Sequence, residues 1–126
     1  MPHDTPPSQP TEDDLARVWH ILERCRKLER YVAGRRFEEY AADEMLRDAV
    51  ERNLEVIGEA VGKLSPAFLD AHPEIPWRLI RHQRNIIAHV YDQLADERIW
   101  EAATVHAPPL REFVERVIAE HTEDPN

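Results

Sequence analysis

The chain contains little cysteine, little glycine and no long apolar run, and each shortage excludes a class of protein. Its one cysteine, Cys25, cannot form an intrachain disulfide and provides no cysteine cluster for zinc. Three glycines are too few for a glycine-rich phosphate loop. No segment is long and apolar enough to cross a membrane, and the N-terminus does not resemble a signal peptide. We therefore expect a soluble, cytoplasmic protein without a bound cofactor.

Basic residues are also in the minority, because 16 Lys and Arg face 25 Asp and Glu, for a net charge of −9. A protein that coats nucleic acid without specificity needs a basic surface, since its binding energy comes from counterion release. The overall charge excludes that class. Locally, however, Arg78, Arg81, His82 and Arg84 form a basic cluster, and we assign the first three to RNA binding. An acidic body with a basic groove suits a specific RNA target, although the acidic surface can equally face a basic partner.

Apolar spacing predicts an all-α fold, a four- or five-helix up-down bundle in one domain. Four prolines among polar residues predict a disordered tail over residues 1–10, followed by a helical domain over residues 11–120 and a C-terminal tail over residues 121–126. The predicted helices run from the N-cap Thr11 to about Ala33, from about Ala42 to Leu64, briefly from Ser65–Pro66, from Trp77 to about Ala88, and from near Asp96 onwards with a kink or restart at Pro108–Pro109.

Two of the three glycines, Gly58 and Gly62, lie four residues apart within the second predicted helix. Glycine inside a helix lowers stability relative to alanine, so its presence there calls for a compensating reason. The spacing places both glycines on one face. We predict that another helix, or a dimer partner, brings its backbone close to this face.

The segment with the most chemistry runs from Arg84 to Tyr91. A neutral imidazole at His89 can take or give a proton near pH 7, and the Arg84 guanidinium can stabilise the charge that develops on a phosphate. Asn85 and His89 share a helix face, whereas Arg84 and His89 converge if the helix ends near His89 or if two subunits line one cleft around a two-fold axis. Proton transfer needs an acid and a base, and two chains would supply two imidazoles. These residues favour phosphodiester chemistry in a homodimer.

A metal site is not expected near this segment. His82 and His89 are seven residues apart, which is too far for both to bind one metal ion directly from a single helix, and no convergent carboxylate accompanies them.

The segment Arg84 to Tyr91 resembles the R-x4-H-x-Y motif of the HepT-like toxins, within the HEPN superfamily of small all-helical ribonucleases. The similarity extends over roughly residues 12 to 118. The sequence departs from the family pattern at His82-Gln83, where a glycine and an apolar residue are expected, and at Ala95, where relatives often have an aspartate. The segments that support the resemblance are Val56–Ala60, Lys63–Ser65, Ile75–Arg78 and Ile99–Glu101.

The resemblance implies a metal-independent endoribonuclease that acts as a homodimer and is the toxin of a type VII-like HEPN/MNT toxin–antitoxin system. It assigns catalysis to Arg84 and His89, with Asn85 in a supporting role. It also implies an MNT-type nucleotidyltransferase antitoxin, which neutralises the toxin by AMPylating Tyr91. An added nucleotide would bring negative charge and bulk into the groove that RNA phosphate must enter. The motif does not identify the RNA substrate, for which tRNA and mRNA are both candidates.

Each assignment has a structural alternative. His89 can be a structural histidine at a helix end, Arg84 can pair with an acid such as Glu59, and Tyr91 can pack its ring at a helix terminus. For the whole protein, the alternative function is a non-catalytic helical module that binds a nucleotidyltransferase.

Overall fold

A computed structural model describes residues 9–82 and 93–121 of the chain. All the regular secondary structure in these two ranges is helical, which confirms the predicted all-α fold. Three helices are long, namely α1, α3 and α7, and shorter helices connect them. The helices are α1 (Glu12–Val32), α2 (Phe37–Ala42), α3 (Glu44–Gly62), α4 (Pro66–Ala71), α5 (Trp77–Arg81), α6 (Gln93–Glu101) and α7 (Ala107–His121), with a π-helical turn (Ala102–His106) between α6 and α7.

The first helix begins where the sequence predicts. The Asp14 backbone N–H donates to the Thr11 hydroxyl at 2.9 Å, and the Thr11 N–H donates to the Asp14 carboxylate at 3.2 Å. This reciprocal capping box satisfies two backbone donors that the first turn of a helix leaves free. At the other end, Gly34 follows α1 with a φ of 72°, a backbone conformation that glycine adopts without strain. Local sequence therefore defines both ends of α1.

The second predicted helix, from about Ala42 to Leu64, is confirmed as α3. It begins at Glu44, and the Asp43 side chain caps it by accepting from the Leu46 N–H at 3.0 Å. The preceding α2 was not predicted. Its Tyr40 ring is fully buried and lies 5.2 Å from the Trp100 ring, measured between centroids. Packing of α2 against α6 thus stabilises a helix that is too short to form alone.

The core lies between α1, α3 and α7. Helix α1 packs against both other long helices, and its buried side chains recur at helical spacing. Two contacts show that α1 and α3 run antiparallel: the Ser65 N–H donates to the Asp14 carboxylate at 2.8 Å, and Arg24 Nη1 donates to Asn53 Oδ1 at 3.2 Å. An ion pair between Arg111 Nε and Glu29 Oε2, at 2.9 Å, joins α7 to α1.

The double proline near the C-terminus is predicted to kink or restart the last helix, and the structure shows a local change of helical geometry without a break. The Ala107 N–H donates to the Ala102 carbonyl, five residues back, which closes a π-helical turn. Glu101 and Ala107, on either side of this turn, both have right-handed helical backbone conformations. Pro108 and Pro109 follow directly in α7. Proline lacks the N–H of a regular α-helical hydrogen bond, and the π-helical turn lies at the point where that regular pattern is interrupted.

Candidate functional site

The predicted catalytic segment lies between two helices whose positions are known. Arg84, Asn85, His89 and Tyr91 fall outside the described residues, so their roles remain predictions. Helix α5 leads into the segment and α6 follows it. The site can therefore be built up from the elements on either side of it.

Two buried side chains anchor α5 to the core. Trp77 and Ile80, three residues apart, face inward. The indole N–H of Trp77 donates to the His72 carbonyl at 3.0 Å, which satisfies the one polar atom of this ring. The ring also lies 5.8 Å from Phe113 of α7, centroid to centroid, in an edge-to-face arrangement. The chain thus enters the catalytic segment from a helix that is held on the core.

The outward side of α5 carries the basic residues that the sequence assigns to RNA binding. Arg78, Arg81 and His82 are all exposed. No carboxylate lies within 4.0 Å of the Arg78 or Arg81 guanidinium anywhere in residues 9–82 and 93–121. The structure thus places these three predicted residues together, at the end of α5 that adjoins the motif.

Helix α3 meets α5 at the two glycines, which confirms the predicted close approach. A Cβ atom at Gly58 would lie 3.2 Å from the Ile80 carbonyl oxygen and 3.6 Å from that of Arg81. A Cβ atom at Gly62 would lie 3.6 Å from Arg81 Nε. The absence of side chains lets the α5 backbone rest on Gly58 and lets the Arg81 side chain extend across Gly62. These glycines therefore position the basic end of α5.

Burial changes the acidity of two groups that could otherwise be considered for catalysis. Cys25 is fully buried, and burial raises the pKa of its thiol to about 12, so the thiolate needed for nucleophilic attack is absent near neutral pH. Burial also raises the pKa of the Glu51 carboxyl, and neighbouring Asp48 and Asp96 raise it further. Neither group faces the basic end of α5 through any contact recorded in the structure.

The described part of the chain shows neither a metal site nor a membrane span. Within the described ranges, no group of three or more His, Cys, Asp and Glu side chains is arranged to hold a metal ion. None of the helices in these ranges has both the length and the hydrophobicity needed to cross a membrane.

Comparison of the chain with known protein families tests the resemblance that the R-x4-H-x-Y motif indicates. The family described as "Ribonuclease HepT-like" matches residues 21–117, which include α5, the motif segment and α6. The chain belongs to this HepT-like family. The match spans most of the chain, so it includes the core helices as well as the motif.

Individual HepT-like relatives align over similar lengths. A protein of Caldanaerobacter subterraneus subsp. tengcongensis with a provisional RNase name is 35% identical over 99 residues, covering 79% of this chain and 88% of the relative. The Thermococcus cleftensis protein named "Probable ribonuclease HepT" is 31% identical over 97 residues, covering 77% of this chain and 88% of the relative. No solved structure matches the chain. These relatives support a ribonuclease and do not describe its mechanism.

A second basic surface, which the apolar spacing of the first helix does not reveal, lies along α1. Arg17, His20, Arg24 and Lys27 follow one another at i, i+3, i+7 and i+10, which places them within roughly 80° of the α1 circumference. In the sequence, these four basic residues recur at intervals of three or four, which is the spacing of one helix face. This pattern was hidden by the excess of acidic residues elsewhere in the chain.

Proposed function

We propose that this member of the HepT-like family is the ribonuclease toxin of a HEPN/MNT toxin–antitoxin system. The family match over residues 21–117 is the observation that carries the proposal, because it includes an intact R-x4-H-x-Y sequence from Arg84 to Tyr91. The exposed Arg78 and Arg81, without acidic partners among the described residues, supply positive charge next to that sequence. Together they support a site that attracts RNA and cuts it.

The proposed reaction is an internal transesterification that uses no metal ion. The His89 imidazole removes the proton from a ribose 2′-hydroxyl, and the 2′-oxygen then attacks the adjacent phosphorus. The bond from phosphorus to the 5′-oxygen breaks, and a second imidazole, His89 of the other subunit, donates a proton to the leaving oxygen. The Arg84 guanidinium stabilises the additional negative charge on the phosphorane-like transition state, while Asn85 orients the reacting groups. The products are a 2′,3′-cyclic phosphate and a 5′-hydroxyl.

Regulation is proposed to act at Tyr91. A nucleotidyltransferase partner transfers AMP from ATP to the phenolic oxygen and releases pyrophosphate. The attached phosphate and adenosine then occupy the groove next to His89 and repel the RNA backbone. This arrangement would silence the enzyme without unfolding it.

The direct test of the nuclease compares the parent with His89→Ala and with His106→Ala, a control that removes an exposed histidine from the π-helical turn. Purified proteins, shown by intact mass to lack a nucleotide on Tyr91, are incubated with total RNA and with tRNA in EDTA. We expect the parent and His106→Ala to produce 2′,3′-cyclic phosphate ends and His89→Ala to produce none. Equal cleavage by all three would contradict the role of His89.

Intact RNA with every protein would favour the alternative, a non-catalytic module for a nucleotidyltransferase. The regulatory part of the proposal is tested by expressing the parent or Tyr91→Phe together with an MNT-type nucleotidyltransferase. The parent should gain the mass of an adenylyl group and lose toxicity. Tyr91→Phe should gain no mass and remain toxic.

A further inference from the structure

A second basic surface runs along α1, apart from the residues assigned to catalysis. It consists of Arg17, His20, Arg24 and Lys27, and we call it the α1 basic stripe. All four side chains are half-buried. The stripe spans ten residues, or about 15 Å along the helix axis. Its linear shape and its excess of basic residues suit an extended polyanion.

The stripe has no acidic partner in the described part of the chain. The ion pairs of α1 involve Arg26 and Glu29, which lie on the flank that faces α7. Arg24 donates to the neutral Asn53 amide oxygen, and Arg17 makes no hydrogen bond within residues 9–82 and 93–121. In a protein with a net charge of −9, intramolecular neutralisation would be easy to arrange. Among the described residues, therefore, no carboxylate neutralises the positive charge of the stripe.

The two arginines of the stripe are held in fixed positions. Nε of Arg17 and Nε of Arg24 are buried without a hydrogen-bond partner among the described residues. Burial of Nε restrains the side chains of both arginines. A guanidinium that is already ordered loses less conformational entropy when it binds, and its planar fork matches the geometry of a phosphate. This favours a phosphate ligand over a diffuse role in solubility.

The register of the helices places the stripe at the same end of the bundle as α5. The Asp14–Ser65 hydrogen bonds join the start of α1 to the residues after α3. Arg17 lies three residues beyond Asp14, and Gly62 lies three residues before Ser65, so both are displaced from the Asp14–Ser65 contact in the same direction along the bundle. Arg17 is therefore level with Gly62, across which the Arg81 side chain extends.

The exposed Lys63 provides positive charge between these two surfaces. It follows Gly62 at the C-cap of α3, so the path from Arg81 to Arg17 crosses one helix, about 10 Å wide. The exposed Glu59 is the acidic residue on this part of α3, and Asp13 adjoins Arg17 on α1. The cations along the path nevertheless outnumber these two acids.

We propose that the α1 basic stripe binds the phosphate backbone of the RNA strand whose neighbouring nucleotides occupy the catalytic segment. The proposal rests on the proposed ribonuclease function and extends it, by adding a contact surface about 15 Å long outside the catalytic segment. The stripe makes phosphate contacts, which position a strand without reading its sequence. It therefore contributes affinity and register, whereas cleavage chemistry stays with the motif.

The test measures binding separately from cleavage. Arg17→Gln/Arg24→Gln is compared with Arg30→Gln/Arg116→Gln, a control that removes two exposed arginines from other surfaces of α1 and α7. All are made in the His89→Ala background, which leaves the RNA intact. Affinity for a fluorescein-labelled single-stranded RNA of mixed sequence, on the order of 20 nucleotides long, is measured by anisotropy at several salt concentrations. Circular dichroism verifies the fold of each variant.

We expect the stripe variant to bind about tenfold more weakly than the control. The slope of log K against log salt should decrease in magnitude by about 1.4, since each phosphate contact on a single strand contributes about 0.7. If that variant fails to fold, Lys27→Gln/Lys63→Gln removes two charges of the same path and should decrease the slope by a similar amount. Equal affinity and slope for stripe and control variants would overturn the proposal, as would a background protein that binds no RNA.

The nuclease and the stripe can fail independently in this design. If the protein with an intact His89 leaves RNA uncut while the stripe variants lose binding, the proposed nuclease activity is wrong, and the proposed RNA binding by the stripe is supported. If the protein cuts RNA and the stripe variants behave like the control, the stripe alone is wrong.

Discussion

Replacement of Gly58 by alanine tests whether α3 positions the basic end of α5. Two opposing effects determine its result. Alanine is favoured over glycine inside a helix by about 1 kcal/mol. Against this, the new Cβ atom would lie 3.2 Å from the Ile80 carbonyl oxygen, which belongs to backbone and cannot rotate away. The α5 backbone must then move by a few tenths of an ångström.

Overpacking of this kind costs about 1–3 kcal/mol, so the steric effect equals or exceeds the gain in helix propensity. We expect Gly58→Ala to lower the free energy of unfolding by about 0–2 kcal/mol. Because α5 leads directly into the catalytic segment, we also expect single-turnover RNA cleavage to slow by about tenfold. Gly62→Ala is the matched control, since its Cβ atom would meet the flexible Arg81 side chain at an ordinary contact distance of 3.6 Å.

Urea denaturation and single-turnover cleavage of the two variants provide the measurements. Gly62 is the last residue of α3, so alanine there should stabilise the protein by only a few tenths of a kcal/mol and leave cleavage unchanged. If Gly58→Ala instead raised the free energy of unfolding by the full helix-propensity difference of about 1 kcal/mol and retained the parent cleavage rate, the contact between Gly58 and α5 would not position α5 for cleavage.

Two further substitutions test the interior. Asp14→Ala removes a buried carboxylate that accepts from the Ser65 hydroxyl at 2.7 Å and from two backbone N–H groups. Burial raises the pKa of Asp14, but the hydrogen bonds from Ser65 and Thr11 outweigh burial and lower it overall. At neutral pH the free energy of unfolding of the parent should therefore exceed that of Asp14→Ala by about 3 kcal/mol. Part of this difference should be lost as the pH falls through the lowered pKa of Asp14, as measured by urea titrations at several pH values. A difference that persists in full at low pH would show that the charged form is not what stabilises the fold. Tyr40→Phe removes a buried hydroxyl without a partner in the described ranges, so thermal unfolding should show an unchanged or slightly higher melting temperature; a clear decrease would reveal an unrecognised hydrogen bond.

Helix boundaries that depend on neighbouring residues could be predicted from the sequence, whereas those that depend on distant contacts could not. Thr11 and Asp14 cap α1 over four residues, a pattern that is visible in the sequence. Helix α2 was missed because its anchor is the contact of Tyr40 with Trp100, 60 residues later. The Arg36 N–H donates to the Glu39 carboxylate at the start of α2, but a six-residue helix has too few backbone hydrogen bonds for such a local contact to predict it.

The candidate site shows the same division. Gly58 and Gly62 predict the close approach of another backbone, because glycine lowers the stability of a helix interior. The sequence could not show which element approaches, and the structure identifies it as α5. The basic residues of α5 can be recognised in the sequence because they lie within a few residues of the start of the motif. The stripe on α1 was overlooked because its members are separated by residues of other faces, and its meaning depends on which cations α3 and α7 neutralise.

The distribution of ion pairs is a stronger argument for function than the net charge. Arg111 of α7 is bound by two carboxylates, those of Glu29 and Glu115, at 2.9 Å each. These two ion pairs neutralise the positive charge of Arg111 on α7. Arg17 and Arg81 have no such partners within the described residues, although the chain has nine more acids than bases to offer. An acidic protein with unpaired cations next to its motif can repel bulk nucleic acid and still hold a single strand there.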